Sequence, residues 1–265
     1  MFEDLYRTAA GRVIARLLAA PFISKAAGRL LDSRPSRLFI APFVRKNHID
    51  LSLAEKSEFD SFNDFFCRRL KPGLRPVDMS EDALVSPCDG LLSVYEISPE
   101  LRIKIKGGVY TPESLTQGAV PGNMFAGGSC LVFRLTPAHY HRYIYPAEGD
   151  ITAEGRIPGI FHTVRPTALD NVEVFKTNTR EYRLLESPIF GKILQMEIGA
   201  TLVGRIHNHH GAGVHVLKGQ EKGTFLFGGS TIVLLTELKL APQAEEREVL
   251  AGERIYSLRR PPAGQ

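Results

Sequence analysis

The sequence predicts an α+β protein that is mainly β: an antiparallel barrel or sandwich-like body preceded by amphipathic N-terminal helices. Three observations predict it. Up to about residue 60 the texture is aliphatic and alanine-rich, broken at Pro21 and Pro35. From about residue 84 the apolar segments are short, rich in β-branched and aromatic residues, and punctuated by Gly and Pro. Few helix-length periodic stretches separate those segments, which disfavours βαβ crossovers and a parallel sheet. No repeat recurs at a fixed period. The chain divides accordingly into a helical region over residues 1–60, a β-rich body over 61–240, and a charged, peripheral tail over 241–265.

In order along the chain, residues 3–20 and 22–32 read as helices, with Pro21 between them and Ser24 able to cap the second. Asp32-Ser33-Arg34-Pro35 is a stop, and a further short helix is expected over 36–46. Residues 61–66 suggest another, started by Ser61 or Asn63, before Lys71-Pro72-Gly73 and Arg75-Pro76 end the helical texture. Strands are expected at 131–135, 172–175, 192–198 and 201–206, and the apolar run 231–235 reads as a buried strand.

The 265 residues, 43% hydrophobic and 23% charged, suffice for one large domain or two small ones. Cys67, Cys88 and Cys130 cannot close a disulfide framework and lack zinc-finger spacing, so free thiols are expected. The apolar run 13–23 is interrupted by Arg16 and Pro21, too short to span a bilayer, and lacks a signal-peptide cleavage pattern. Net charge is +4, too small to suggest nucleic acid. Residues 1–50 carry nine Lys/Arg against four Asp/Glu, an excess of five that leaves −1 for the rest. A basic segment with apolar residues between its arginines fits an anionic membrane surface, or a helix packed on the body with its arginines solvated.

Phosphate-binding glycine loops, HExxH and GxSxG are absent. Four histidines crowd residues 207–215, a pattern that would suit Zn²⁺ or Ni²⁺, but glycines and the lack of a carboxylate there favour solvated loop histidines, and no metal is expected. His139 and His141 share one face if 139–142 is a strand, and two imidazoles could then handle protons. Gly228-Gly229-Ser230 precedes the buried strand either as a plain turn or as an unobstructed peptide bond that Ser230 could attack. In Ser86-Pro87-Cys88-Asp89-Gly90, Asp89-Gly90 reads as a left-handed turn or Asp89 as the carboxylate that orients a histidine. The Cys88 thiol is a rival nucleophile with nothing nearby to activate it.

In order, the blocks 62–76, 86–90, 106–110, 135–149, 178–181, 199–204 and 218–231 resemble the phosphatidylserine decarboxylase family over roughly residues 48–236. The resemblance implies a proenzyme that cuts itself between Gly229 and Ser230, giving a 229-residue chain and the remaining 36 of the 265 residues as a heterodimer that can dimerise further. It implies that Ser230 becomes a covalent pyruvoyl group. That ketone takes up a substrate amine and draws off the electrons left by CO₂ loss, as PLP does, with a cofactor made from the chain itself. It also implies that Asp89 and a histidine assist Ser230 in cleavage and that a histidine protonates the carbanion. The family pattern Asp-Tyr-His-Arg-x-His reads here His139-Tyr140-His141-Arg142-Tyr143-Ile144, so the second histidine is missing. His141 is retained and is the first choice; it serves both steps, or His162 or His139 substitutes. The implied substrate is phosphatidylserine in an anionic membrane, met by a peripheral protein on the cytoplasmic face of the cell membrane and converted to phosphatidylethanolamine. The rivals are an unprocessed lipid-binding relative, a decarboxylase of a soluble amino acid, and a metal-binding protein using the histidine loop.

Overall fold

A computed structural model describes residues 28–100, 102–105, 108–160, 173–199, 206–227 and 230–258, with Ser230 described in its backbone only. Residues 28–32 are helical, a 3₁₀ stretch follows at Arg34–Phe39, and α1 runs over Ile40–Asn47. The helix expected over 36–46 is therefore present, with a tighter first turn that Pro35 opens. The helix expected over 3–20 lies outside the described residues, as does the start of the one over 22–32.

Ser61 caps α2 (Phe62–Phe66) as its sequence position suggests: its hydroxyl accepts from the Asp64 amide at 3.1 Å. This short helix is an aromatic knot. Phe62, Phe65 and Phe66 are buried, and Phe43 and Phe227 meet them edge-on. Each fully buried ring contributes roughly 2–3 kcal/mol of apolar burial, which ties the segment before the body to Phe227, three residues ahead of Ser230.

The body is built on an open sheet, not a closed barrel. Eight antiparallel strands lie in the order β11-β7-β8-β9-β13-β5-β2-β14, where β2 is Gly90–Glu96, β5 Ser129–Leu135, β7 Gly149–Ile157, β8 Arg180–Ser187, β9 Gly191–Gly199, β11 His215–Val216, β13 Ser230–Thr236 and β14 Gln243–Val249. Alternation then decides what each face meets. Leu131, Phe133, Ile232 and Leu234 face one way, under a three-stranded sheet of β10 (Ile206–Asn208), β12 (Glu221–Phe225) and β6 (Arg142–Ile144) that contributes Tyr143 and Phe225. Cys130, Val132, Val233 and Leu235 face the other way, against the β3–β4 hairpin (Ile103–Ile105, Gly108–Tyr110), α3 (Pro112–Thr116) and the turn at Gly122–Phe125. The result is layered like a sandwich, and β13 is buried on both faces, as its unbroken apolar run predicts.

The strands expected at 131–135, 192–198 and 231–235 are present. The one expected at 172–175 is not: Val174–Thr177 forms a single helical turn, α4, and Val172 lies outside the described residues. A strand would send Val174 and Phe175 to opposite faces, whereas the turn buries both in the same core. Of 201–206 only Ile206 is described. The charged C-terminal stretch lies at the rim, with β14 at the sheet edge and β15 (Arg254–Ser257) paired to β1 (Ala83–Val85).

Candidate functional site

Three neighbouring strands bring the motif residues to one end of the sheet. Ser230 heads β13, paired to Leu135 at the end of β5 and to Gly199 at the end of β9. On the far side of β5, β2 begins at Gly90, directly after Asp89. Gly90 is not in a left-handed conformation, contrary to the turn expected there. What it needs is space, since a Cβ would sit 3.3 Å from the Arg134 carbonyl oxygen.

From Leu135 the chain turns rather than continuing as a strand: the His139 amide donates to the Thr136 carbonyl at 3.1 Å, and β6 starts only at Arg142. The shared strand face expected for His139 and His141 is therefore replaced by a turn that follows Pro137. The two histidines still reach the same end of the sheet. The His141 carbonyl accepts from the Phe225 amide at 2.9 Å and from the Thr224 hydroxyl at 3.2 Å. The segments 135–141 and 225–230 are thus joined at both ends, by this bond and by the Leu135–Ser230 pair. The backbones of His141 and Ser230 are thereby tied to the same end of the sheet.

The two imidazoles differ. His139 Nδ1 accepts from the Thr136 amide at 2.9 Å, which fixes the proton of the neutral ring on Nε2, facing Glu248 at 3.6 Å. Burial lowers its pKa, opposed by the charges of Asp89 and Glu248. His141 is completely buried against Phe66, with ring centroids 4.0 Å apart, and neither of its nitrogens has a hydrogen-bond partner among the described residues. Burial first, and the nearby Arg68 charge second, hold it well below the usual histidine pKa. It is a neutral base with its lone pair free.

Among the described residues, no hydrogen bond joins Asp89 to a histidine. Arg75 grips it with two prongs, Nε to Oδ1 at 2.7 Å and Nη2 to Oδ2 at 2.5 Å, and the Ala251 amide donates to Oδ1 at 2.9 Å. Cys88 is fully buried and its thiol is pushed well up by burial, so it is not an activated nucleophile. Gly229 and His162 lie outside the described residues.

Three histidines of 207–215 stay neighbours, with ring centroids 5.2 Å apart for His207 and His209 and 6.1 Å for His209 and His210, but each ring that bonds takes a different partner. His209 meets Glu221 at 2.9 Å, His215 meets Asp150 at 2.8 Å, and His210 lies beside Gln220 and Tyr145. The carboxylates absent from the loop arrive from other strands, and no group of three or more metal-ligating side chains forms among the described residues.

Sequence reasoning did not single out Arg75, which holds Asp89, or Arg68, which stands beside His141. Both lie in the 62–76 block, so the signal was a motif whose individual side chains had no role assigned. It also passed over Lys222 and Glu197, a fully buried pair at 2.5 Å. Asn208 bridges the two, accepting from Lys222 at 3.0 Å and donating to Glu197 at 3.2 Å.

A family model for phosphatidylserine decarboxylase matches residues 62–257. Among curated proteins, the chain is 39% identical over 244 residues to phosphatidylserine decarboxylase proenzyme 2 of Clostridium acetobutylicum, covering 91% of this chain and 83% of that protein. It is 43% identical over 215 residues to the proenzyme of Clostridium perfringens, covering 80% and 73%. It is 38% identical over 265 residues to that of Clostridium botulinum, covering 94% and 90%. The matched span begins at α2, ends at β15, and takes in Asp89, His141 and Ser230 along with the sheet that assembles them; the chain belongs to the phosphatidylserine decarboxylase family.

Proposed function

We propose that the chain is a self-processing carboxy-lyase that converts phosphatidylserine to phosphatidylethanolamine and CO₂, using a pyruvoyl group made from Ser230. The observation that carries the reading is the convergence of Ser230, the Arg75-held Asp89 and the unpartnered His141 at one end of three adjacent strands. The residues suit a group built in place: Ser230 is fixed on both sides by Leu135 and Gly199.

In processing, Ser230 Oγ attacks the Gly229 carbonyl carbon, the amide becomes an ester, and the Ser230 amine is released. Loss of the Cα proton then breaks the Cβ–Oγ bond, leaving the Gly229 carboxylate and a dehydroalanine at 230. Water enters and ammonia leaves, giving the ketone. His141 takes the hydroxyl proton, because its basic nitrogen has no partner among the described residues, whereas His139 Nδ1 is already engaged. With Ile144 in place of the family's second histidine, His141 serves both cleavage and the later proton delivery; Asp89 balances Arg75 and fixes the wall of the site. The pyruvoyl group supplies an electron-accepting carbonyl for a substrate amine.

Residues 61–240 carry this chemistry, and residues 1–60 bring it to an anionic bilayer at the cytoplasmic face. Support comes from exposed Leu30, Leu38, Phe39 and Leu53, with exposed Arg34, Arg37, Arg45 and Lys46 around them. No helix among the described residues is long and apolar enough to cross a membrane. The 229- and 36-residue products stay together as a heterodimer.

Intact mass tests the reading. Wild type is expected as two chains, the smaller one blocked to N-terminal sequencing, and Ser230→Ala as one. Splitting of the Ser230→Ala chain at this bond overturns the mechanism, and an uncut wild type favours a binding protein. For the membrane face, Leu38→Asp with Phe39→Asp is expected to release the protein from phosphatidylserine-containing vesicles in sedimentation. Unchanged binding would remove the role from this face.

A further inference from the structure

Among the described residues, Arg68 is a buried cation with no ion-pair partner. It is 5% exposed, its guanidinium lies 5.3 Å from the centre of the Phe65 ring, and Nε and Nη1 have no hydrogen-bond partner among those residues and no contact with solvent. The nearest carboxylate that bears on it, Asp89, is already gripped by Arg75 and the Ala251 amide. His141, stacked on the next ring of α2, Phe66, and within reach of the Arg68 charge, is likewise buried with both nitrogens unpartnered among the described residues. Two side chains packed on neighbouring rings therefore leave their polar atoms unsatisfied in the interior, where such atoms are normally paired. An arrangement of this kind is satisfied by an anion that arrives from outside the fold.

We propose that Arg68 is the receptor for the phosphodiester anion of the substrate headgroup, with His141 beside it at the reacting carbon. This rests on the decarboxylase reading. The headgroup carries two anions, and the chemistry separates them. A guanidinium on the carboxylate would stabilise a charge that disappears as CO₂ leaves, and so would raise the barrier. The phosphodiester keeps its charge throughout, so holding it costs the reaction nothing and positions the headgroup. Its arrival also offsets the Arg68 charge, which after burial is the second influence keeping His141 neutral, and so favours His141 gaining the proton it must deliver.

The test uses the full chain in detergent micelles containing phosphatidylserine. Arg68→Gln is expected to raise KM about tenfold to a hundredfold, the usual worth of a charge-assisted hydrogen bond, with kcat changed far less. The Ki of glycerophosphoethanolamine, which has the phosphodiester and no carboxylate, is expected to rise by the same factor. That of O-methylserine, which has the carboxylate and no phosphodiester, is expected to stay within about twofold on the same reasoning. Arg68→Lys should recover part of the loss. The melting temperature of Arg68→Gln should not fall, because an unpaired buried charge has been removed.

An unchanged Ki for glycerophosphoethanolamine overturns the proposal, as does an effect confined to O-methylserine, which would assign Arg68 to the carboxylate. A lowered melting temperature with lost splitting in both variants makes Arg68 structural and overturns it too. Competition by inorganic phosphate that is lost in Arg68→Gln supports an oxyanion receptor. Failure of the decarboxylase reading looks different, because wild type would then neither split nor release CO₂.

Discussion

Two buried cations stand on opposite terms with the fold. Lys222 is fully buried with Glu197 at 2.5 Å, Asn208 at 3.0 Å and the Tyr143 ring 5.5 Å away, and burial draws its pKa down to about 8. Arg68 has an aromatic ring beneath it and two nitrogens with no acceptor. Both pay for desolvation, but only Lys222 recovers the cost inside the molecule. A satisfied buried charge belongs to the scaffold, and an unsatisfied one marks where the fold meets something else. The same contrast divides the histidine pair, since His139 is engaged and His141 is not.

The largest expected effect is on the unsatisfied side. His141→Ala should lower decarboxylation by about 10²–10⁴-fold, the usual worth of a general acid or base, measured as CO₂ release from processed protein or as splitting rate if processing stops. A fully active variant would move the role to His139 or His162. On the satisfied side, Lys222→Met should cost about 3–5 kcal/mol in denaturant unfolding, because it strands Glu197 in the core. Adding Glu197→Leu should recover most of that stability; if the double variant also loses splitting, the pair has a part in the chemistry and the contrast fails.

A smaller effect is on pH dependence. The pKa of His141 is lowered on folding, chiefly by burial, and that of His139 likewise. Below about pH 6.5 the unfolded chain takes up protons that the folded one refuses, so this contribution is complete above 6.5 and declines as the pH falls further. Urea midpoints from pH 7.5 to 5 should show the decline, reduced in His141→Phe; identical slopes would mean that His141 charges without penalty. The smallest effect is at the rim. Arg247 and Glu253 meet at 3.0 Å with 37% and 41% of their side chains exposed. Arg247→Ala should cost less than about 1 kcal/mol.

These contrasts explain what the sequence could reveal. The run Thr231–Leu235 declared a strand buried on both faces, because burial on both sides leaves no alternation to read. Ser61 declared a cap, because capping is settled within four residues. Val174–Thr177 misled, because a β-branched pair looks the same whether a strand or one helical turn buries it. The grip of Arg75 on Asp89 was invisible for a different reason: the meeting depends on a chain reversal and on the Ala251 amide, 162 residues further along. Likewise, that His139 and His141 differ in availability follows from one bond to the Thr136 amide, which spacing does not encode.

The position of Ser230 has a last consequence, for assembly. It heads β13, which is hydrogen-bonded along its length to β9 on one side and to β5 on the other. The proposed break there would leave the smaller product as an inner plank of the sheet, with β14 and β15 as its remaining strands. Such a fragment cannot leave without opening both ladders, so the cut form would hold together by kinetics rather than by covalent continuity. Once unfolded, it would have to find its partner by collision, and recovery would depend on concentration. On the proposed cleavage, the uncut chain would be the form that folds, and the strand would have to be built before it is severed.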